Sequence, residues 1–336
     1  MTFLVTGASG YIGSHTCLAL IEQGHDVVAI DNLCNNDSSA LERVASYTGV
    51  SFKFFDADAR NGYELMSILE DCPVDALIHL AGLTSVPDSF VQPVEYYENN
   101  VGGALTLLRV MALNGIKRIV FSSSAAVYGA QPIQPVTEET ALLPAQSPYA
   151  RTKAIVEGLL ADAAYADPDM RVVVLRYFNP VGAHTTASIG QKPLSKSGNL
   201  MSAILEVASG AESFVPVFGD DYPTADGTAE RDYLHICDLA EGHVAALSAL
   251  NTPGVHTYNL GAGRPVSVFE MIRAFSDATG MSVPYRVCER RAGDLPQSWA
   301  DVSKSKAALG WTASRSLAQM CVDAWTFYRT VGVEGV

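Results

Sequence analysis

Tyr149 and Lys153 stand four residues apart, a spacing that puts both side chains on one face of a helix. Pro148, just before them, suits a first helical turn. A free phenol ionises near pH ~10 and is a poor base at neutrality. An ammonium beside it favours the phenolate and lowers that value. Tyr149 would then exchange a proton with a substrate hydroxyl. Ser122-Ser123-Ser124 closes a β-rich run, and Ser124 is suited to hydrogen-bond the same oxygen. Taken alone, Y-x-x-x-K is a common surface pair; the rest of the chain gives it meaning.

Near the N-terminus, Val5-Thr6-Gly7-Ala8-Ser9-Gly10-Tyr11-Ile12-Gly13 follows a strand pattern and opens a helical one. Gly7, Gly10 and Gly13 would let the backbone turn tightly, approach a pyrophosphate and pack helix on strand. The anion would rest on free N–H groups and the positive end of the helix. A second strand ends at Asp31. A carboxylate there accepts from adenosine ribose hydroxyls and repels a 2′-phosphate, which favours NAD over NADP. An ordinary strand–turn–helix with a loop-tip aspartate is the plainer alternative. Asp58-Ala59 follows the third strand, where Asp58 is either an acceptor for the adenine amino group or a solvated loop residue. Ala81-Gly82 follows the fourth, small enough for a cofactor to approach the backbone. The positive ring of a bound nicotinamide would add to Lys153 in favouring the Tyr149 phenolate.

The elements that must position these groups alternate. Phe3–Val5, Val27–Ile30, Phe52–Phe55, Ala76–Leu80, Arg118–Phe121 and Val172–Leu175 read as nearly continuous apolar strands. Tyr11–Gln23, Gly62–Glu70, Pro93–Leu113 and Tyr149–Ala164 read as helices between them. This predicts an α/β fold with a Rossmann-type doubly wound parallel sheet over residues 1–180. Beyond that, Gly, Pro, Ser and Asp grow denser over Val181–Gly198 and Gly219–Gly227. Helical spacing returns at Leu200–Ser209, Asp238–Leu250, Val268–Thr279 and Leu317–Tyr328. Residues 181–336 therefore read as a second, smaller mixed α/β substrate domain, with the chain crossing between the two around 233–265. The 336 residues carry a net charge of −14 and a pI near 4.8, with no Lys/Arg-rich block, which argues against nucleic acid. Six scattered cysteines without a C-x-x-C fit a reducing compartment. No apolar run approaches the ~18 residues of a membrane span, and no signal peptide is visible, so a cytoplasmic location is expected.

Together these motifs resemble the extended short-chain dehydrogenase/reductase family, and within it the members that epimerise UDP-hexoses at C4. The likeness runs over nearly the whole chain. It is carried by Val5–His15, Asp31-Asn32-Leu33, Glu95–Val101, Phe121–Gly129, Ser147–Lys153, Leu175–His184, Gly219–Val244, Tyr258–Gly263 and Gly293–Asp301. The resemblance implies NAD kept as a prosthetic group, proton removal from the sugar 4-hydroxyl by Tyr149, hydride transfer from C4, and return to the other face of a rotated 4-ketose. It places Gly7, Gly10, Tyr11, Ile12, Gly13, Asp31, Asn32, Asp58, Ala59, Ala81, Gly82, Asn99, Ser122, Ser124, Tyr149, Lys153 and Phe178 around NAD. Asn179, Asn199, Leu200, Phe218, Arg231, Arg291, Asp294 and Ser298 would surround the UDP-sugar with Ser124 and Tyr149. It also points to a homodimer, paired through the helices near Pro93–Leu113 and Tyr149–Ala164. Arg231 and Arg291 are the fork donors a diphosphate needs; salt bridges with Asp232 or Asp294 are their plainer role. His235 and His243 have no metal-site spacing, and no metal is expected.

Three positions depart from the family pattern. Thr84 stands where a lysine is expected, removing one cationic contact to NAD. Ala126 replaces an expected threonine. Ser298 stands where some members carry tyrosine, which would enlarge the pocket beside the sugar C2 substituent and admit UDP-GlcNAc and UDP-GalNAc. The nearest rivals are a nucleotide-sugar dehydratase or decarboxylase. A dehydratase would be expected to carry an acid/base carboxylate pair beside the serine, and Ala125-Ala126 supplies none. A simple dehydrogenase would release reduced cofactor. A non-catalytic NAD-sensing protein would have no need of the Tyr/Lys pair.

Overall fold

The computed structural model describes residues 1–186, 188–191, 199–291 and 293–332. Seven parallel strands form the central sheet: β1 (Thr2–Thr6), β2 (Asp26–Asp31), β3 (Lys53–Asp56), β4 (Ala76–His79), β5 (Arg118–Ser124), β6 (Arg171–Tyr177) and β7 (Gly254–Leu260). Their order is β7-β6-β5-β4-β1-β2-β3. The chain winds one way from β1 and the other way from β4, so the direction reverses between these two strands. Ligands of such sheets bind in the crevice opened there, at the carboxyl ends of the strands.

Alternation along each strand explains the two covering layers. Phe3, Val5, Ala29, Ile78, Val120 and Val173 face a core shared with Cys17, Leu20, Ile236 and Leu239. Leu4, Val28, Leu77, Ile119 and Val174 face the opposite core, with Leu65, Leu107, Met111, Val156 and Leu160. Helices Tyr11–Glu22 and Ile236–Ala246 pack on each other over the first face. Helices Gly62–Asp71, Gly102–Leu113 and Pro148–Ala166 supply the second. A separate apolar cluster, including Met201, Ile204, Val217, Tyr233, Met271, Phe275 and Cys321, gathers the helices at Leu200–Ala208, Val268–Thr279 and Leu317–Gly332.

The predicted strands and most of the predicted helices of the first 180 residues are present with ends shifted by up to three residues. Helices Ser39–Thr48 and Val86–Val91 were not anticipated. The expected continuous helix over Pro93–Leu113 is broken: Tyr97–Val101 makes a π turn between two α segments. Strand β7 comes late in the chain yet pairs with β6 through all seven of its residues. Helix Ile236–Ala246 starts two residues before the expected Asp238 and continues as a 3-10 turn over Leu247–Asn251. Residues 187 and 192–198 of the expected Gly/Pro/Ser-rich stretch lie outside the described residues.

Buried polar groups tie the layers together. Asp232 is fully enclosed, and its carboxylate accepts from the backbone N–H of Ala262 (2.6 Å), Gly263 (3.0 Å) and Ala300 (3.1 Å). Burial raises its pKa to about 6, against the pull of those three donors. Arg176 and Glu157 form a bidentate pair at 3.1 and 2.7 Å between β6 and helix Pro148–Ala166.

His15, His79 and His243 are enclosed as neutral rings, their pKa values lowered by burial to about 3, 3 and 4. The ordinary value is about 6.5, so between these limits the unfolded chain binds more protons than the folded one. The stability these rings contribute is therefore lost as pH falls below about 6.5. His15→Gln should take up about one proton fewer than wild type on unfolding near pH ~5. Calorimetry in buffers of different ionisation enthalpy measures this; equal uptake would mean that His15 is already charged in the folded chain.

Candidate active site

Six strand ends open onto one cavity of about 1580 Å³, and the lining follows the sheet order. Thr6-Gly7 ends β1, Ile30-Asp31 ends β2, and Ala57-Asp58-Ala59 follows β3. His79 to Gly82 ends β4, Ser122 to Ser124 ends β5, and Tyr177-Phe178 ends β6. The cavity thus occupies the crevice that the winding reversal creates.

Its floor is the glycine turn. Gly7 has φ +69°, and a Cβ there would sit 2.7 Å from the Ala81 backbone nitrogen. A Cβ on Gly13 would sit 2.0 Å from the Gly7 carbonyl oxygen. Side chains at either position would push β1, the helix and the β4 loop apart. Helix Tyr11–Glu22 begins at Gly10 with no side-chain cap, so its first N–H groups remain available to an anion. This is the arrangement a dinucleotide pyrophosphate requires, and Gly10, Tyr11, Ile12 and Gly13 all line the cavity. The Tyr11 hydroxyl donates to the Gly182 carbonyl at 2.7 Å.

Asp31 receives the Ser9 and Leu33 N–H groups, both at 3.0 Å. The second bond holds Leu33 at φ +53°, the one described non-glycine residue at positive φ, which turns the loop sharply at this wall. Asn32 donates its amide to Asp58 at 3.0 Å. Asp58 also takes both arms of Arg60, at 2.9 and 2.6 Å, and this guanidinium holds its carboxyl well below the usual range.

Lys153 is buried, donates to the Ser122 carbonyl at 2.7 Å and lies 5.0 Å over the Phe121 ring. Burial lowers its pKa to about 8, while Glu157 one turn along the helix pulls it back up. Tyr149 is half-buried on the same helix. The lowering of its pKa expected from Lys153 is not expressed in the chain alone. Burial raises it, and the Ser124 hydroxyl pulls the other way. A positive charge close to the phenol would favour the phenolate and work against the burial.

Sequence reasoning missed Asn100. It is buried in the π turn and accepts from Leu83 N–H (2.8 Å) while donating to Leu83 carbonyl (3.0 Å) and Thr152 Oγ1 (3.0 Å). Thr152 in turn donates to the Tyr149 carbonyl at 2.7 Å. One amide thereby joins the loop after β4 to the catalytic helix, and the π turn brings Asn99 into the cavity wall. A single extra residue in a helical turn leaves no trace in apolar periodicity, so the pattern hid it.

At the other end, Asn179, Asn199, Leu200, Phe218, Arg231, Arg291 and Asp294 line the same cavity. Asn199 caps helix Leu200–Ala208, its side chain accepting from Ser202 N–H at 2.8 Å. Arg231 and Arg291 converge on Asp294 at 3.6 and 2.9 Å, and Arg291 lies 4.7 Å over Phe218. Neither pairs with Asp232, whose oxygens are spent on backbone donors. Thr84 lines the cavity, whereas Ala126 and Ser298 do not. Ser298 instead pairs in strand register with Arg231, which does. His235 bonds Asp323 at 3.1 Å, and His243 bonds the Tyr177 hydroxyl. Among the described residues, no group of three or more His, Cys, Asp or Glu side chains is arranged to hold a metal.

Residues 3–261 match the NAD dependent epimerase/dehydratase family. The chain belongs to this family. A UDP-glucose 4-epimerase of Yersinia pestis is 49% identical over 326 residues, 97% of this chain and 96% of that protein. A solved UDP-glucose-4-epimerase from Stenotrophomonas maltophila, with bound NAD and formylated UDP-arabinopyranose, is 46% identical with a TM-score of 0.97 over 100% of both chains. One from Bifidobacterium longum, in complex with NAD+ and UDP, is 42% identical with a TM-score of 0.95 over 98% of each. The family's cofactor fits the uncapped helix, the glycine floor and Asp31 described above.

Asn100→Ala would strip partners from Leu83 and Thr152 and should cost about 2–4 kcal/mol of stability. Turnover should fall with it as the Tyr149 helix loses its tie. Denaturant unfolding and kcat measured on one preparation test this; unchanged kcat would show that the tie does not position Tyr149.

Proposed function

We propose that this chain interconverts UDP-glucose and UDP-galactose by a redox-neutral inversion at sugar C4. The observation that carries the reading is one continuous cavity with Tyr149, Ser124 and Lys153 at one part of its wall and two converging arginines at another. A proton-transfer centre and a diphosphate clamp in one space suit a nucleotide-linked sugar. A bound nicotinamide would supply the hydride acceptor in its oxidised form and the hydride donor in its reduced form. Tyr149 removes the 4-hydroxyl proton and later restores it, with Ser124 holding the oxygen. Lys153 stays hydrogen-bonded below and fixes the ribose side. Arg231 and Arg291, aligned by Asp294, grip the diphosphate while the hexose turns. Residues 1–180 with β7 hold the cofactor, and residues 181–336 supply most contacts to the UDP-sugar.

A coupled assay with either UDP-hexose should show product with no accumulation of reduced nicotinamide. Tyr149→Phe should lower turnover by about 10²–10⁴-fold while acid release still yields NAD. Stoichiometric reduced nicotinamide in place of the epimer would sink the proposal. A second reading, turnover of UDP-GlcNAc and UDP-GalNAc, follows from the small Ser298 where some family members carry tyrosine; it is the strand neighbour of Arg231, which lines the cavity. Wild type inactive on the acetylated pair refutes it, and Ser298→Tyr should selectively remove the activity.

The active unit is a homodimer. Val94, Leu113 and Tyr165 are 68%, 74% and 92% exposed on the helical segments expected to pair. Apolar side chains so placed suit a four-helix contact. Sedimentation should report a dimer, and a monomer at micromolar concentration would remove this part of the reading. The six unpaired thiols suit a reducing cytoplasm, and among the described residues no helix is long and apolar enough to cross a membrane.

A further inference from the structure

Arg43 has no part in the mechanism above, yet it lines the cavity. It lies on helix Ser39–Thr48 and is half-buried. One terminal nitrogen donates to Ser39 Oγ at 2.9 Å, one turn back, which aims the guanidinium. Its Nε is enclosed and has no hydrogen-bond partner. The chain carries 36 acidic residues against 22 basic ones, so carboxylate partners are plentiful. The other arginines of the cavity take them: Arg60 pairs with Asp58, and Arg231 and Arg291 pair with Asp294. Among the described residues, Arg43 alone of the cavity's arginines pairs with no carboxylate.

Its position indicates what would satisfy it. Asn35, Asn36, Asp37, Ala40 and Arg43 line the cavity together, and the Asp37 carboxylate accepts from Ser39 N–H at 2.9 Å. A Cβ on Gly10 would come within 3.8 Å of the Asn36 amide nitrogen, so this wall adjoins the turn whose N–H groups are free for an anion. The Leu33 turn, held by Asp31, folds the loop back to meet it. The planar fork of a guanidinium that lines a cavity suits phosphate oxygens. The rim beyond β4 offers Thr84 and no cation.

We infer that Arg43 is a cofactor-binding residue, donating to a phosphate of the dinucleotide from the wall opposite the β4 loop. The inference rests on the NAD assignment. The first turn of the Tyr11–Glu22 helix and Arg43 together then replace the cation that Thr84 lacks.

The test follows loss of NAD from the purified holoenzyme after dilution, at low and at high salt, by acid release of the retained nucleotide. At low salt, Arg43→Gln should lose NAD about tenfold faster than wild type. The difference should shrink at high salt, because an ionic contact is screened. Arg43→Lys, which keeps the charge without the fork, should fall between the two; it carries the comparison if the glutamine variant fails to fold. Loss within about twofold of wild type at low salt overturns the inference. So does a difference equal at both salts, which would mean a contact to uncharged ribose or a structural role. Wild type that yields no nucleotide at all refutes the cofactor assignment itself, an outcome distinct from the other two.

Discussion

A protonated amine buried between a parallel sheet and its covering helix is costly to desolvate, and much of this structure answers that cost at Lys153. The ammonium cannot be left to the apolar core, so β5 ends where the Ser122 carbonyl can receive it. The Phe121 face lies below it, and Glu157 one turn further on adds negative potential. Glu157 is itself partnered by Arg176, whose guanidinium covers the Tyr128 ring at 4.8 Å. His79 stays neutral beside the ammonium and hydrogen-bonds Thr6 at 2.8 Å, which ties β4 to β1 beneath the glycine turn. The contacts gathered around this one buried charge thus join the ends of β5, β6, β4 and β1, and those ends form part of the cavity wall.

A second constraint is the sign of the protein. With a net charge of −14, the chain has no diffuse positive field to hold anions. It concentrates positive potential instead: free N–H groups at one helix start, and arginines aimed by neighbours. Asp294 aligns two guanidinium groups without closing them off from the cavity. Where a cation has no such need, as at Arg60 and Asp58, the pair closes on itself in two short bonds.

How much of this was legible beforehand follows from what each feature leaves in the sequence. The strands of the sheet are buried on both faces and show as unbroken apolar runs, so six of the seven were readable. Strand β7 was obscured because His256 and Asn259 interrupt its pattern; Asn259 is spent on the Tyr128 hydroxyl and the Val136 carbonyl. The glycine turn, Asp31, Tyr149 and Lys153 are local motifs and stand out by spacing. Asn100 and Arg43 matter only through partners brought together by folding, and nothing near them in the chain announces it. Ser298 was read from resemblance alone; strand register makes it the neighbour of Arg231, which lines the cavity.

The two ends of the cavity share one structural device. Near Tyr149, the buried Asn100 amide joins a loop to a helix. Near the arginines, the buried Asp232 carboxylate joins the segments at Ala262, Gly263 and Ala300 through three backbone donors. The strand carrying Arg231 also pairs with the one carrying Ser298, and Asp232 N–H reaches the Ser298 carbonyl at 3.1 Å. Both anchors direct their hydrogen bonds to neighbouring segments, and neither lines the cavity. That division of labour lets a substrate turn within the cavity without loosening its walls: the groups that would touch the sugar are held by others that touch only protein. A rotation of the bound sugar then costs contacts at the cavity surface while the hydrogen bonds of the fold stay intact.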